Sequence, residues 1–217
     1  LQDVALEGNY KMFQILMNHK AAFNIKDSYG KTVLFDAIEG GNLSILKDVI
    51  NNVDSLNILD ENHQTVLFKA VLREDMTLAQ TLIVNGININ FLDKDGQNVL
   101  FNTILQGSKN IPLIELLLKK GINLNIVDNN NKTIIDELLH IHELQKNNPK
   151  NLEGKYKIIS PEKDYLSLAL LFIENGLDID EIHADGKTSL QKELDNKNFT
   201  NVEFLIDCGA DINVCDE

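Results

Sequence analysis

The sequence predicts an all-α solenoid: a stack of helix-turn-helix units joined by β-turn or hairpin arms. Three observations carry this. The stretch "KTVLFDAIEGGN" from Lys31 returns as "QTVLFKAVLRED" from Gln64 and "QNVLFNTILQGS" from Gln97, each start 33 residues after the last. A second half-pattern recurs as "VNGININFLD", "KKGINLNIVD", "ENGLDIDEIH" and "DCGADINVCD". Between the two, apolar residues such as Leu43, Leu46, Val49 and Ile50 fall at helical spacing. A fixed period of this size marks an array of small units that bury their apolar faces against one another.

Each element has a physical reason. Asp27, Asp60, Asp93 and Asp128 open four units, His183 a fifth and Asp216 a sixth, at spacings of 33, 33, 35, 55 and 33. Thr32, Thr65, Asn98, Thr133 and Thr188 precede the helical patterns, where a side-chain oxygen accepts from unpaired helix N–H groups. A short first helix follows, then a turn and a second helix such as "NLSILKDVI" or "MTLAQTLIV". Gly86, Gly121, Gly176 and Gly209 stand where those second helices end in a left-handed residue. The alternation Ile87-Asn88-Ile89-Asn90 then suits a short extended arm leading to a turn at Asp93 to Gly96.

These residues resemble the ankyrin-repeat family, whose pattern reads roughly Asp-x-x-Gly-x-Thr-Pro-Leu-His-x-Ala. "DSYGKTVLFDA" from Asp27 matches Asp, Gly, Thr, Leu and Ala. "DENHQTVLFKA" puts His63 in place of the Gly, "DKDGQNVLFNT" puts Asn98 in place of the Thr, "DNNNKTIIDEL" from Asp128 is weaker, and "HADGKTSLQKE" keeps Gly186, Thr188 and Leu190. The family's Pro is replaced by Val33, Val66, Val99, Ile134 or Ser189. Phe35, Phe68 and Phe101 stand where the family has a His that ties adjacent turns, and Phe cannot make those bonds. They are expected in the core, exchanging polar ties for buried area at roughly 25 cal/mol per Å².

The array is expected to be one domain over residues 1–217. It comprises a partial repeat at 1–26 and repeats at about 27–59, 60–92, 93–127, 128–182 and 183–215, with a further repeat starting at 216–217. The fourth repeat is interrupted by an insertion at about 140–161. There "TIIDELLHIHELQKN" prolongs the first helix, "NNPKNLEGK" breaks it through Pro149 and Gly154, and Ser160 with Pro161 restarts the second helix. Between His140 and Lys163 the segment holds five Lys against three Glu, so it is slightly basic on an acidic chain. It reads as a tolerated surface loop or as a docking finger.

Composition narrows the function classes. The chain has 217 residues and a net charge of -13, which repels phosphate backbones and suits a partner with a basic face. Neither nucleic acid nor membrane is expected as a partner. No apolar run approaches a membrane span, and "LQDVALEGNY" is not a signal peptide. The chain begins without Met and reads as a piece of something longer. Two cysteines, Cys208 and Cys215, suit a reducing, cytoplasmic setting and structural thiols. Residues two apart on a helix face apart, so His140 and His142 are a poor metal pair. No carboxylate, Asp136 included, is seen to converge with a His, Ser or Cys. "GKT" at Gly30 and Gly186 lacks the spacing of a phosphate loop and belongs to the repeat. No enzyme activity, cofactor or metal is expected.

The resemblance implies a protein-binding module that reads its partner with turn tips and the concave side of the first helices. Carried onto this chain, the tip residues include Tyr29, Lys31, Glu61, Asn62, Gln64, Lys94, Asp95 and Gln97. The inner helix positions are Glu39, Leu72, Arg73, Leu105, Gln106, His140 and Ile141. Tyr29, Leu72 and Arg73 are the expected anchors, because aromatic residues and Arg dominate interface energetics. A monomer is expected. The alternative is a regulatory or substrate-recruiting segment of a larger enzyme or microbial effector, the latter acting in a host cell. The resemblance also places Asn57, Asn90, Asn125 and Asn213 at the arm position that asparaginyl hydroxylases modify in some members. The plainer account of these residues is that Asn satisfies turn backbone.

Overall fold

The computed structural model describes residues 1–105, 110–147 and 163–214. Within them every regular element is a helix and no strand is present. The fold is that of an all-α repeat array. The chain divides into two compact units, Leu1–Lys94 and Asp95–Glu217.

The first unit holds α1 (Gln2–Leu6), α2 (Tyr10–Asn18), α3 (Val33–Gly40), α4 (Leu43–Ile50), α5 (Val66–Leu72) and α6 (Met76–Val84). The first helices of successive repeats, α1, α3 and α5, pack in a row, and α2 packs on α4 behind them. The second unit holds α7 (Val99–Leu105), α8 (Ile111–Lys119), α9 (Ile134–Asn147), α10 (Lys163–Glu174), α11 (Ser189–Asp195) and α12 (Phe199–Asp207). There α7 packs on α9, and α9 also meets α10 and α12. At 14 residues, α9 is the prolonged first helix that the insertion predicts. Ser160, Pro161 and the rest of the insertion from residue 148 onward lie outside the described residues.

The core is the recurring apolar stripe. Phe35, Phe68 and Phe101 are fully buried, together with Leu34, Leu67 and Leu100 beside them. The rings are therefore packing groups and not an exposed ladder. On the second helices the stripe is Ile45, Leu46 and Val49, then Leu78, Ala79 and Leu82. Each helix pair buries these only by having neighbours, which is why one unit cannot stand alone.

The caps follow the expected chemistry with one exception. Thr32 accepts from Leu34 N–H, Asn98 from Leu100 N–H and Thr133 from Asp136 N–H. Thr188 forms a full capping box with Gln191. Thr65 makes no cap bond, and its buried hydroxyl has no partner. The second helices are capped independently by Asn42, Asp75 and Asn198.

The fourth residue of each tip has a positive φ: Gly30 at 77°, His63 at 57°, Gly96 at 79°, Asn131 at 58° and Gly186 at 78°. The turn thus imposes the left-handed region at every tip, and His63 enters it against its own sterics. A left-handed L-residue costs about 1–2 kcal/mol, against a glycine entropy penalty of about 0.5–1 kcal/mol. His63→Gly is therefore expected to raise stability by about 0.5–1 kcal/mol, read as a higher urea midpoint with unchanged slope. A lower midpoint would mean that the imidazole does something else at this tip.

Candidate partner-binding face

Three tips are locked by their opening aspartates, Asp27, Asp60 and Asp128. Asp27 Oδ1 accepts from Tyr29 N–H and Lys31 N–H, both at 2.9 Å. Asp27 N–H in turn donates to Lys31 O at 2.8 Å. Asp60 does the same for Asn62 and Gln64, and Asp128 for Asn130 and Lys132. Burial alone would raise the Asp128 pKa. The Lys132 N–H, the Gln97 amide and the Asn130 N–H outweigh it and hold the carboxyl below the usual Asp value. Its contribution to stability is complete above the ordinary Asp range and is lost as pH falls through the lowered value. In the fifth repeat His183 cannot play this part, and Asp185 accepts from Lys187 N–H instead.

Several predicted tip residues tie one repeat to the next. In the first unit, Gln64 Nε2 donates to Asp93 Oδ2 at 3.2 Å. Lys94 N–H donates to Asn62 O at 3.0 Å and Lys94 Nζ to Asn62 Oδ1 at 2.9 Å. In the second unit, Gln97 Nε2 donates to Asp128 Oδ2 at 2.7 Å and Asn129 N–H to Asp95 O at 2.9 Å. These bonds tie adjacent tips in a chain whose Phe35, Phe68 and Phe101 cannot do so. The sequence reading missed this role, because the partner atoms lie about 30 residues away and meet only once the repeats stack.

The arms carry a parallel ladder. Asn24 Oδ1 accepts from Asp54 N–H, and Asn57 Oδ1 from Asn88 N–H. In the second unit Asn125 Oδ1 accepts from Asp178 N–H, and its amide donates to Gly176 O. The side chains of Asn57 and Asn125 thus satisfy backbone groups of the next repeat.

All three expected anchors have exposed side chains. Tyr29 is 56% exposed, Leu72 is 49% exposed, and Arg73 is exposed beyond the end of α5. The Arg73 guanidinium lies toward Gly41, at the turn after α3. Glu61 is also exposed. Lys31 and Glu39 form an ion pair at 3.4 Å, both partly accessible. Burial alone would lower the Lys31 pKa, but Glu39 outweighs it and keeps the ammonium above its ordinary value. Nearby Asp36 is raised by burial and by the charges of Glu39 and Asp27, and its Oδ2 has no partner. Among the inner helix positions His140 is exposed, but Ile141 is fully buried and cannot touch a partner. It belongs to the core because α9 runs on past the length of the other first helices. Gln106 lies outside the described residues, as do Cys215 and the side chain of Leu105.

One polar cluster was not legible beforehand. The structure brings His183 and Ser189 onto Asp136, correcting the reading that no His or Ser converges on a carboxylate. Ser189 Oγ donates to Asp136 Oδ1 at 3.2 Å, and Thr133 donates to Oδ2 through both N–H and Oγ1. His183 Nε2 lies 3.0 Å from Ser189 Oγ, and its Nδ1 lies 3.8 Å from Asp136 Oδ2. With the serine hydrogen directed at Asp136, Nε2 must be the donor to Oγ. That is the reverse of what an activated nucleophile needs, and Ser189 and His183 are both buried. The cluster reads as an internal network that leaves the buried His183 Nδ1 without a hydrogen-bond partner. His142, two residues from His140, is buried, 3.2 Å from Asn201 Oδ1 and stacked on Phe204. Cys208 is a buried thiol, pushed up to about 12 by burial and by Asp207. A polar cleft of about 450 Å³ lies among Glu143, Glu193, Asn196, Lys197 and Asn198.

Residues 67–140 match the family described as ankyrin repeats (3 copies). Residues 67–140 carry ankyrin repeats. No curated protein matches the chain. The matched span runs from the second Phe-bearing helix into α9. Ankyrin repeats are in general protein–protein interaction modules. No helix among the described residues is long and apolar enough to cross a membrane.

Proposed function

We propose that this chain is a protein-binding module whose anchors are Tyr29, Leu72 and Arg73 of the first unit. The observation that carries the reading is the exposure of two large apolar side chains, Tyr29 and Leu72, on rigid elements. Tyr29 sits on a tip locked by Asp27, so little side-chain or loop entropy is lost on contact. Lys31, Glu39 and Glu61 would form a polar rim around these anchors. Asn62, Gln64 and Lys94, and in the second unit Asp95 and Gln97, would be contacted through whatever hydrogen-bonding capacity the inter-repeat ties leave. The net charge of -13 favours a partner with a basic surface, whose encounter rate falls as salt is added. Under this reading the module is a cytoplasmic monomer over a single array, with the repeat boundaries given by the 33-residue register. A recruiting segment of a larger enzyme or of a microbial effector is the alternative, and the same face would serve it.

The test uses the intact chain as bait and then the captured partner in purified form. Tyr29→Ala and Arg73→Ala are each expected to weaken the Kd by about tenfold or more, the hot-spot range of about 1.4 kcal/mol and above. Deleting residues 146–157 is expected to leave it unchanged. If the deletion abolishes binding and both substitutions leave it intact, the insertion is the reader and the proposal fails.

A further inference from the structure

The second unit holds a cleft that the proposed anchors do not use. It is polar, about 450 Å³ in volume, and lined by Glu143 of α9, Glu193 of α11 and the turn Asn196, Lys197 and Asn198 that joins α11 to α12. One wall is fixed by a buried polar chain. Glu193 Oε2 accepts from Asn201 Nδ2 at 3.1 Å. Asn201 is 1% exposed, and its Oδ1 lies 3.2 Å from Nδ1 of the buried His142. A carbonyl oxygen only accepts, so Nδ1 is the donor. Asn198 Oδ1 holds the same asparagine by accepting from Asn201 N–H. The Glu193 carboxylate is thus set in place before anything binds, and little ordering cost remains. The charge around it is unbalanced. Burial raises the Glu193 pKa first; the Asn201 and Asn198 bonds lower it, the charges of Glu143 and Asp136 raise it again, and the net shift is upward. Lys197 stands exposed at the turn and forms no ion pair among the described residues. A cation placed between the two glutamates would favour their ionised forms and be favoured by them.

We infer that this cleft takes a lysine or arginine side chain of a partner polypeptide, its charged head between Glu143 and Glu193 and the exposed Asn196 amide against the backbone beside it. The inference rests on the reading of the chain as a protein-binding module, and it names a second contact and the chemistry that contact selects. The net charge of -13 favours a basic partner at encounter, and the cleft gives that preference a place. An anionic group is a poorer occupant, because carboxylates on two helices face the space it would fill.

The test needs no identified partner. The peptide acetyl-Gly-Lys-Gly-amide is titrated into the 217-residue chain and followed by residue-resolved NMR. Saturable shifts are expected at Asn196, Lys197 and Asn198, and the Glu193 carboxyl is expected to titrate at lower pH when the peptide is bound. Glu143→Gln and Glu193→Gln are each expected to weaken the Kd by about threefold to tenfold, since each removes one of two partly exposed charges facing the ammonium. Glu203→Gln, the same charge change at an exposed place on α12, is expected to leave the Kd as it was. Shifts spread over the acidic surface with no preference for the cleft would overturn the inference. So would an equal response to the same peptide with norleucine in place of lysine. Binding of n-butylamine as tight as that of the peptide would assign the cleft to a free amine and overturn it equally. Failure here bears on the cleft alone, whereas Tyr29→Ala and Arg73→Ala in the capture experiment bear on the anchors alone.

Discussion

Phe68→Ala is expected to lower stability by about 3–5 kcal/mol, the largest single-residue effect in the first unit. The ring is 1% exposed and lies on α5 between Leu67 and Ala70, both buried. Removing it deletes most of an aromatic side chain's buried area and leaves a cavity that short helices of seven and eight residues cannot close without losing their own contacts. Replacing His by Phe at this place exchanged hydrogen bonds for burial, so stability rests on the ring's volume. Phe68→Leu keeps most of that volume and is expected to cost less than half as much. Equilibrium urea unfolding distinguishes the two. Equal and small effects would mean that the ring is not a core element.

Gly40→Ala is expected to detach α1 from α3. A Cβ on Gly40 would lie well inside the van der Waals contact distance of the Ala5 carbonyl oxygen and 2.8 Å from that of Leu6. These are backbone atoms, so no rotamer change relieves the overlap. Overpacking of this kind costs about 1–3 kcal/mol, and α1 is the element that yields. It has five residues and no side-chain cap bond, so it can peel away as a unit. Hydrogen exchange is expected to show lost protection at Ala5, whose N–H bonds to Leu1 O, while α4 and α6 keep theirs. Unaltered protection in α1 would mean that the two helices are not in close contact.

Much of this architecture was legible in the sequence because ankyrin repeats restate the same local needs. The threonine caps, the left-handed glycines that end the second helices and the apolar stripe each follow from a few adjacent residues, and Phe35, Phe68 and Phe101 declare themselves as core by recurring in register. What was not legible depends on contacts across the stack. Gln64 meets Asp93 and Gln97 meets Asp128 only when two tips lie side by side. Asp136, Thr133, His183 and Ser189 come together across 53 residues of chain. Thr65 has the sequence of a cap and makes no cap bond, although its neighbours in the pattern do. Ile141 looked like a face residue because the other first helices end sooner. The candidate anchors Tyr29, Leu72 and Arg73 were named from residue type and place in the pattern. Their exposure is what structure adds.

The central claim is that stacked repeats, each leaning on its neighbours, build the chain. Residue-resolved hydrogen exchange of the unbound protein tests it most directly. The account predicts protection that recurs with the sequence period, strongest in Val33–Gly40, Val66–Leu72 and Ile134–Asn147 and lowest at the tips around Tyr29, Asn62 and Asn130. Protection with no such recurrence, or protected tips with unprotected first helices, would contradict it.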